Sequence, residues 1–111
     1  MAKFQAYEVS LALIPMLRPL VAAIAFQDRS LADQIRRAGS SVPLNISEGA
    51  RRQGRDRTHA YRIAAGSAAE VRAALAVAHG WGYIDSVAAK QADELLDRIL
   101  ALLWRLTHPC A

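Results

Sequence analysis

Leu31-Ala-Asp-Gln-Ile-Arg-Arg-Ala-Gly-Ser-Ser-Val-Pro-Leu-Asn-Ile-Ser-Glu-Gly49 decides how this chain of 111 residues is read. Leu31, Ile35, Ala38, Val42, Asn45 and Gly49 recur at alternating steps of four and three, the stripe of a helix packed in a bundle. Ser30 precedes the stripe as an N-cap, and Asp33 sits in the first turn, where negative charge meets the positive helix end. Pro43 interrupts the ladder, because it has no N–H and its ring presses on the carbonyl of Gly39. Ser40, Ser41 and Asn45 stand close enough to satisfy backbone groups that the proline frees. The spacing predicts one kinked helix over 31–52, with two shorter helices as the alternative.

On the N-terminal side, Leu11 to Ala25 is the most apolar run. It is 15 residues long, contains Pro15, Arg18 and Pro19, and is shorter than the roughly 20 residues a bilayer requires. It reads as a buried helix over 6–26, bent or started late by its prolines. On the C-terminal side, Asp56 caps a third helix over 57–79 with Ala60, Ala64, Ser67, Val71, Ala74 and Ala78 on one stripe. Gly80 and Gly82 end it, and Asp85-Ser86 opens a fourth helix over 86–107. That helix carries Leu95, Ile99, Leu102 and Leu106 on one seam and Leu96, Leu100, Leu103 and Trp104 beside it, more apolar surface than one core face requires. Short connections between four such helices predict an all-α, antiparallel up-and-down bundle, one domain over 1–111.

The composition agrees and excludes several classes. Hydrophobic residues make up 53% of the chain, 23 of them alanine, against a net charge of +4, which is no recipe for disorder. Met1 to Gln5 has no apolar core followed by a cleavage site, so no signal peptide is read. Cys110 has no second cysteine to pair with, and the chain is expected in the reducing cytoplasm with no membrane association.

Nothing in the pattern points to catalysis, a metal or a cofactor. His59, His79 and His108 lie too far apart to share a helix face. Glu48 is followed three residues later by Arg51 and Glu70 by Ala73, so the Glu-x-x-His step of a di-iron bundle is missing. Asp93, Glu94 and Asp97 form an acidic group, with Lys90, Glu94 and Arg98 spaced to pair along a solvated face. Residues 49–54 lack the Lys-Ser/Thr of a phosphate-binding loop.

The charge has an address. Arg36, Arg37, Arg51, Arg52, Arg55 and Arg57 crowd one segment against only Glu48 and Asp56, and the rest of the chain is balanced. Guanidinium groups fork onto phosphate oxygens and stay charged at any accessible pH, so such a cluster suits a polyanion. The competing reading is a solvated face, with Asp33–Arg37 and Glu48–Arg52 as i, i+4 pairs. Tyr61 is the one aromatic residue near the cluster that could stack on a base, which argues against base-specific reading.

Gln34 to Gly49 resembles the central motif of the small bacterial four-helix-bundle proteins encoded in intervening sequences of large-subunit ribosomal RNA genes. Ile63-Ala-Ala-Gly-Ser-Ala-Ala-Glu70 and Gly80-Trp-Gly-Tyr-Ile84 are similar to two further blocks of that family. The resemblance implies an all-α bundle without catalytic residues that assembles as a ring, commonly a homopentamer. It also implies relatives, among them the accessory protein of diversity-generating retroelements, that bind nucleic acid and a reverse transcriptase through a basic surface. Arg36 and Arg37 fall inside the motif, and Arg51, Arg52, Arg55 and Arg57 at its basic exit. Gly39, Ser41, Pro43, Asn45, Glu48 and Gly49, with Gly66, Ser67 and Glu70 of the second block, are its structural positions. The expected function is therefore a non-enzymatic, homo-oligomeric protein that contacts RNA or DNA phosphates through its arginines. The alternative is a protein-interaction module whose arginines meet an acidic partner such as a polymerase.

Overall fold

The central stripe folds as one helix. In a computed structural model, which describes residues 2–109, α1 runs Ala2–Gln27, α2 Arg29–Arg51, α3 Gly54–Gly80 and α4 Ser86–Thr107. Each helix packs on the next and α4 returns to α1, which closes an antiparallel four-helix bundle. The core draws on all four, with Leu13, Ile24, Ile35, Ile46, Val71, Leu96 and Ile99 among its fully buried side chains.

The ends of the helices correct the sequence reading where a cap was misplaced. The cap of α2 is Asp28 rather than Ser30, its carboxylate accepting from the Leu31 N–H at 3.0 Å, so α1 and α2 are joined by one residue. α3 begins at Gly54, which takes φ +60°, after an uncapped Gln53; Asp56 lies in its first turn instead of before it. Its other end is a Schellman turn: Gly82, at φ +80°, donates to the His79 carbonyl and Tyr83 to that of Ala78. Asp85 caps α4 as expected, accepting from the Ala88 N–H at 2.8 Å.

The prolines interrupt nothing. Pro43 sits inside α2, so the two-helix alternative falls. The nearby polar side chains settle other groups than those expected: Asn45 donates to the Ser41 carbonyl and hydroxyl, and Ser40 to the Arg36 carbonyl, none of them to Gly39. α1 neither breaks nor starts late. Pro15 and Pro19 lie on its exposed side, while Ala6, Val9, Leu13, Leu17, Leu20 and Ile24 fill the core, so the carbonyls that lose a donor face solvent. The continuous helix also enlarges the apolar segment beyond the 15 residues read from the sequence. Phe4–Gln27 is long and apolar enough to cross a membrane by length and composition alone, with 28% of its most apolar window buried in the bundle.

The apolar surplus lies elsewhere than expected. On α4, Leu96, Ile99, Leu102 and Leu103 are buried and Leu95, Leu100 and Leu106 pack beside them, leaving Val87 and Trp104 outside. α1 exposes more large apolar residues than any other helix, Phe4, Leu11, Ile14 and Phe26 among them. The acidic group of α4 does not pair along its own helix either; Asp93 and Asp97 accept from Arg72 of α3 at 2.9 and 3.4 Å.

Candidate nucleic-acid interface

The motif residues hold α2 against α3. Ser67 donates to the Ser41 hydroxyl at 2.8 Å, and Asn45 donates to the same hydroxyl at 2.9 Å, a three-residue polar bridge between the helices. Gly49 lets the ring of Tyr61 in, since a Cβ there would stand 2.6 Å from Cε1. Gly39 is similarly close-packed on α1, where a Cβ would stand 2.8 Å from the tip of Leu17. Pro43 is buried, and Glu70 meets Gln34 at 3.4 Å on the surface. Gly66 is different: a Cβ there would meet nothing within 4 Å.

On this scaffold the arginines divide into two groups. Arg36 and Arg37 lie midway along α2 and are exposed. Arg51, Arg52, Arg55 and Arg57 surround the α2–α3 junction, roughly 22 Å further along the helix axis at 1.5 Å per residue from Arg36 to Arg51. The first group gains a member that the sequence reading left out. Arg29 joins Arg36 and Arg37 around a shallow concavity of about 540 Å³ that Ser30 and Asp33 complete. The signal was present as the register of Asp28, three residues before Leu31, which starts the helix early enough to place Arg29 two turns before Arg36.

The two groups differ in how much of their charge is engaged. In the first, Arg36 donates to Asp33 at 3.0 Å, the i, i+3 pair rather than the expected Asp33–Arg37 pair. In the second, Glu48 takes Arg51 at 2.8 Å and Arg52 at 2.5 Å. The hydrogen bond from Arg52, then its charge, holds the Glu48 carboxyl below the usual carboxylate range, and Arg51 adds to both. Arg57 is a structural residue: its guanidinium donates to the carbonyls of Gly49 and Ala50 at 3.0 and 3.2 Å, closing the end of α2. Arg37 and Arg55 have no ion-pair partner among the described residues and are exposed.

Tyr61 is not a stacking platform. It is 1% exposed, its ring lies against Gly49, and burial raises its phenol above its ordinary pKa. The surface around the arginines therefore offers charge and forked donors but no aromatic face from this residue, an arrangement that fits phosphate or carboxylate oxygens rather than bases. Among the described residues no three His, Cys, Asp or Glu side chains come together as a metal cluster. Cys110 lies outside the described residues.

A family model described as 23S rRNA-intervening sequence protein matches residues 3–105. Among solved structures, the chain is similar to a protein of unknown function from the S23 ribosomal protein family of Bacteroides thetaiotaomicron. The two share 21% identity over 97% of this chain and 99% of the other, with a TM-score of 0.86, a likeness of fold. No curated protein matches the chain.

Proposed function

We propose, from the premise that the chain belongs to the 23S rRNA-intervening sequence protein family, that it is a non-enzymatic protein binding RNA or DNA by its phosphates. The observation that carries this reading is the exposed arginine edge of α2. Arg29, Arg36 and Arg37 share one concavity with a single carboxylate, and Arg51, Arg52 and Arg55 flank the far end. A guanidinium has five donors, so an arginine held by one carboxylate oxygen keeps donors for a phosphate. Arg37 and Arg55 contribute their whole charge. Contacts confined to phosphates position a protein without reading sequence, so RNA and duplex DNA of any sequence should compete. In this reading the protein works as a homo-oligomer, in which several copies add weak patches into one avid surface.

The test is a fluorescence-anisotropy titration of the free protein against a generic single-stranded RNA and a generic DNA duplex at low ionic strength. Micromolar or tighter affinity for both, weakening as salt rises, is the expected result. Absence of binding at low salt rules the reading out. The buried Tyr61 gives the second reading its support, because a surface without that stacking residue suits carboxylates as well. A protein whose arginine variants keep nucleic-acid affinity but lose an acidic protein partner in a pull-down would follow that second course.

A further inference from the structure

The two most exposed large apolar side chains among the described residues, Phe26 at 89% and Trp81 at 70%, stand at the same end of the bundle, where α1 turns into α2 and α3 into α4. The backbone around Trp81 is fixed. Its N–H donates to the Val77 carbonyl at 3.0 Å, and the Schellman bonds of Gly82 and Tyr83, both 2.9 Å, close the turn after it. Tyr83 packs against the core and lies under one face of the indole, with ring centroids 6.5 Å apart and planes 19° from parallel. The indole is thus backed on one face and bare on the other.

The arginines of α2 begin beside it. The Gln34–Glu70 and Ser41–Ser67 contacts set the antiparallel register of α2 and α3 and place Arg29 level with the last turn of α3, roughly one turn short of Trp81. Arg36 and Arg37 follow roughly 11 and 12 Å further along α2 at 1.5 Å per residue, in the concavity they share with Arg29. The carboxylates at this end are engaged: Asp28 and Asp85 each cap a helix start, and Asp33 takes Arg36.

We propose that Trp81 is a base-stacking site for a single-stranded nucleic acid whose phosphates continue along Arg29, Arg36 and Arg37. An unpaired nucleotide joins a flat apolar face to an anionic phosphate, and Trp81 and Arg29 answer the two side by side. Three or four stacked nucleotides, at about 3.4 Å each, cover the run from Arg29 to Arg37. A duplex hides its base faces in its own stack except at its ends, so the indole favours unpaired strands. Stacking accepts any base, so strands of different sequence still compete.

This inference rests on the nucleic-acid reading above, and its test separates the two. The full chain is titrated by anisotropy at low ionic strength with an oligothymidylate and with an abasic strand of the same length, which keeps the phosphates and lacks the bases. The wild type should bind the oligothymidylate roughly tenfold more tightly. Trp81→Ala should erase that advantage while leaving the affinity for the abasic strand and the slope against salt unchanged, because no phosphate contact is lost. Trp81→Tyr, which keeps an aromatic face, should retain most of it. In a Trp104→Phe background, where Trp81 is the only indole, the oligothymidylate should quench its emission and the abasic strand should not. Circular dichroism should show every variant as helical as the wild type, since both tryptophans are exposed. Equal wild-type affinity for the two strands would overturn the stacking site and leave the phosphate reading standing. So would a Trp81→Ala variant that keeps the difference or that loses both strands alike. A wild type that binds neither strand would overturn both.

Discussion

α1 and α2 present opposite kinds of outer surface. The outer side of α2 is charged and its inner side is fitted closely to α3, through Gly49 on Tyr61 and the Ser67–Ser41–Asn45 bridge. α1 fills the core with one apolar seam and exposes further large apolar residues. The contrast shows how a small chain allots its surfaces. A helix that must meet water or a polyanion can afford charge outside only if its inside is specified by shape, whereas a helix that exposes large apolar side chains has surface left to cover.

The largest expected effect tests the fitted side. Gly49→Ala places a Cβ inside van der Waals contact with the Tyr61 ring, and it should cost about 1–3 kcal/mol of stability in urea unfolding despite alanine's better helix propensity. Gly66→Ala should do the reverse, gaining roughly 0.5–1 kcal/mol, since its Cβ enters open space. If both substitutions move stability the same way, the fitted interface is not what distinguishes them.

Smaller effects probe the polar bridge. Ser67→Ala should lose about 0.5–1.5 kcal/mol, and the double variant with Ser41→Ala less than the sum of the two singles, because they share one bond. Tyr61→Phe should be neutral or slightly stabilising by the same assay, as the buried phenol oxygen has no hydrogen-bond partner. The smallest effect is one of pH. Glu48 titrates below its unfolded value, so its contribution is present above the ordinary carboxylate pKa and is lost as pH falls through the folded one. A Glu48→Gln variant should therefore show a slightly shallower loss of stability on acidification.

Much of this was legible in the sequence, for reasons that differ by residue. Asp85 and the leucines of α4 fixed that helix because cap and stripe are local signals and agree with each other. The start of α3 was obscured, since Gly54 enters it from a positive φ with no capping side chain. The prolines of α1 pointed to a bend or a late start, yet their register against Leu13, Leu17 and Ile24 already put them on the solvent side of a helix that starts at Ala2. The arginine cluster was visible as charge. Its division was not, because Arg57 turns back onto the end of α2 and Arg29 joins Arg36 only once Asp28, and not Ser30, is taken as the cap of α2. Tyr61 read as a stacking residue for the same reason: its burial depends on a glycine in another helix.

The dependence of nucleic-acid affinity on salt tests the central claim most directly. Plotted as log affinity against log salt concentration, the wild-type line should fall with a slope near −0.9 for each duplex phosphate contacted, and Arg37→Ala with Arg55→Ala should flatten it by roughly two such contacts. A slope that the two substitutions leave unchanged, with affinity intact, would place the polyanion somewhere other than the arginine edge of α2.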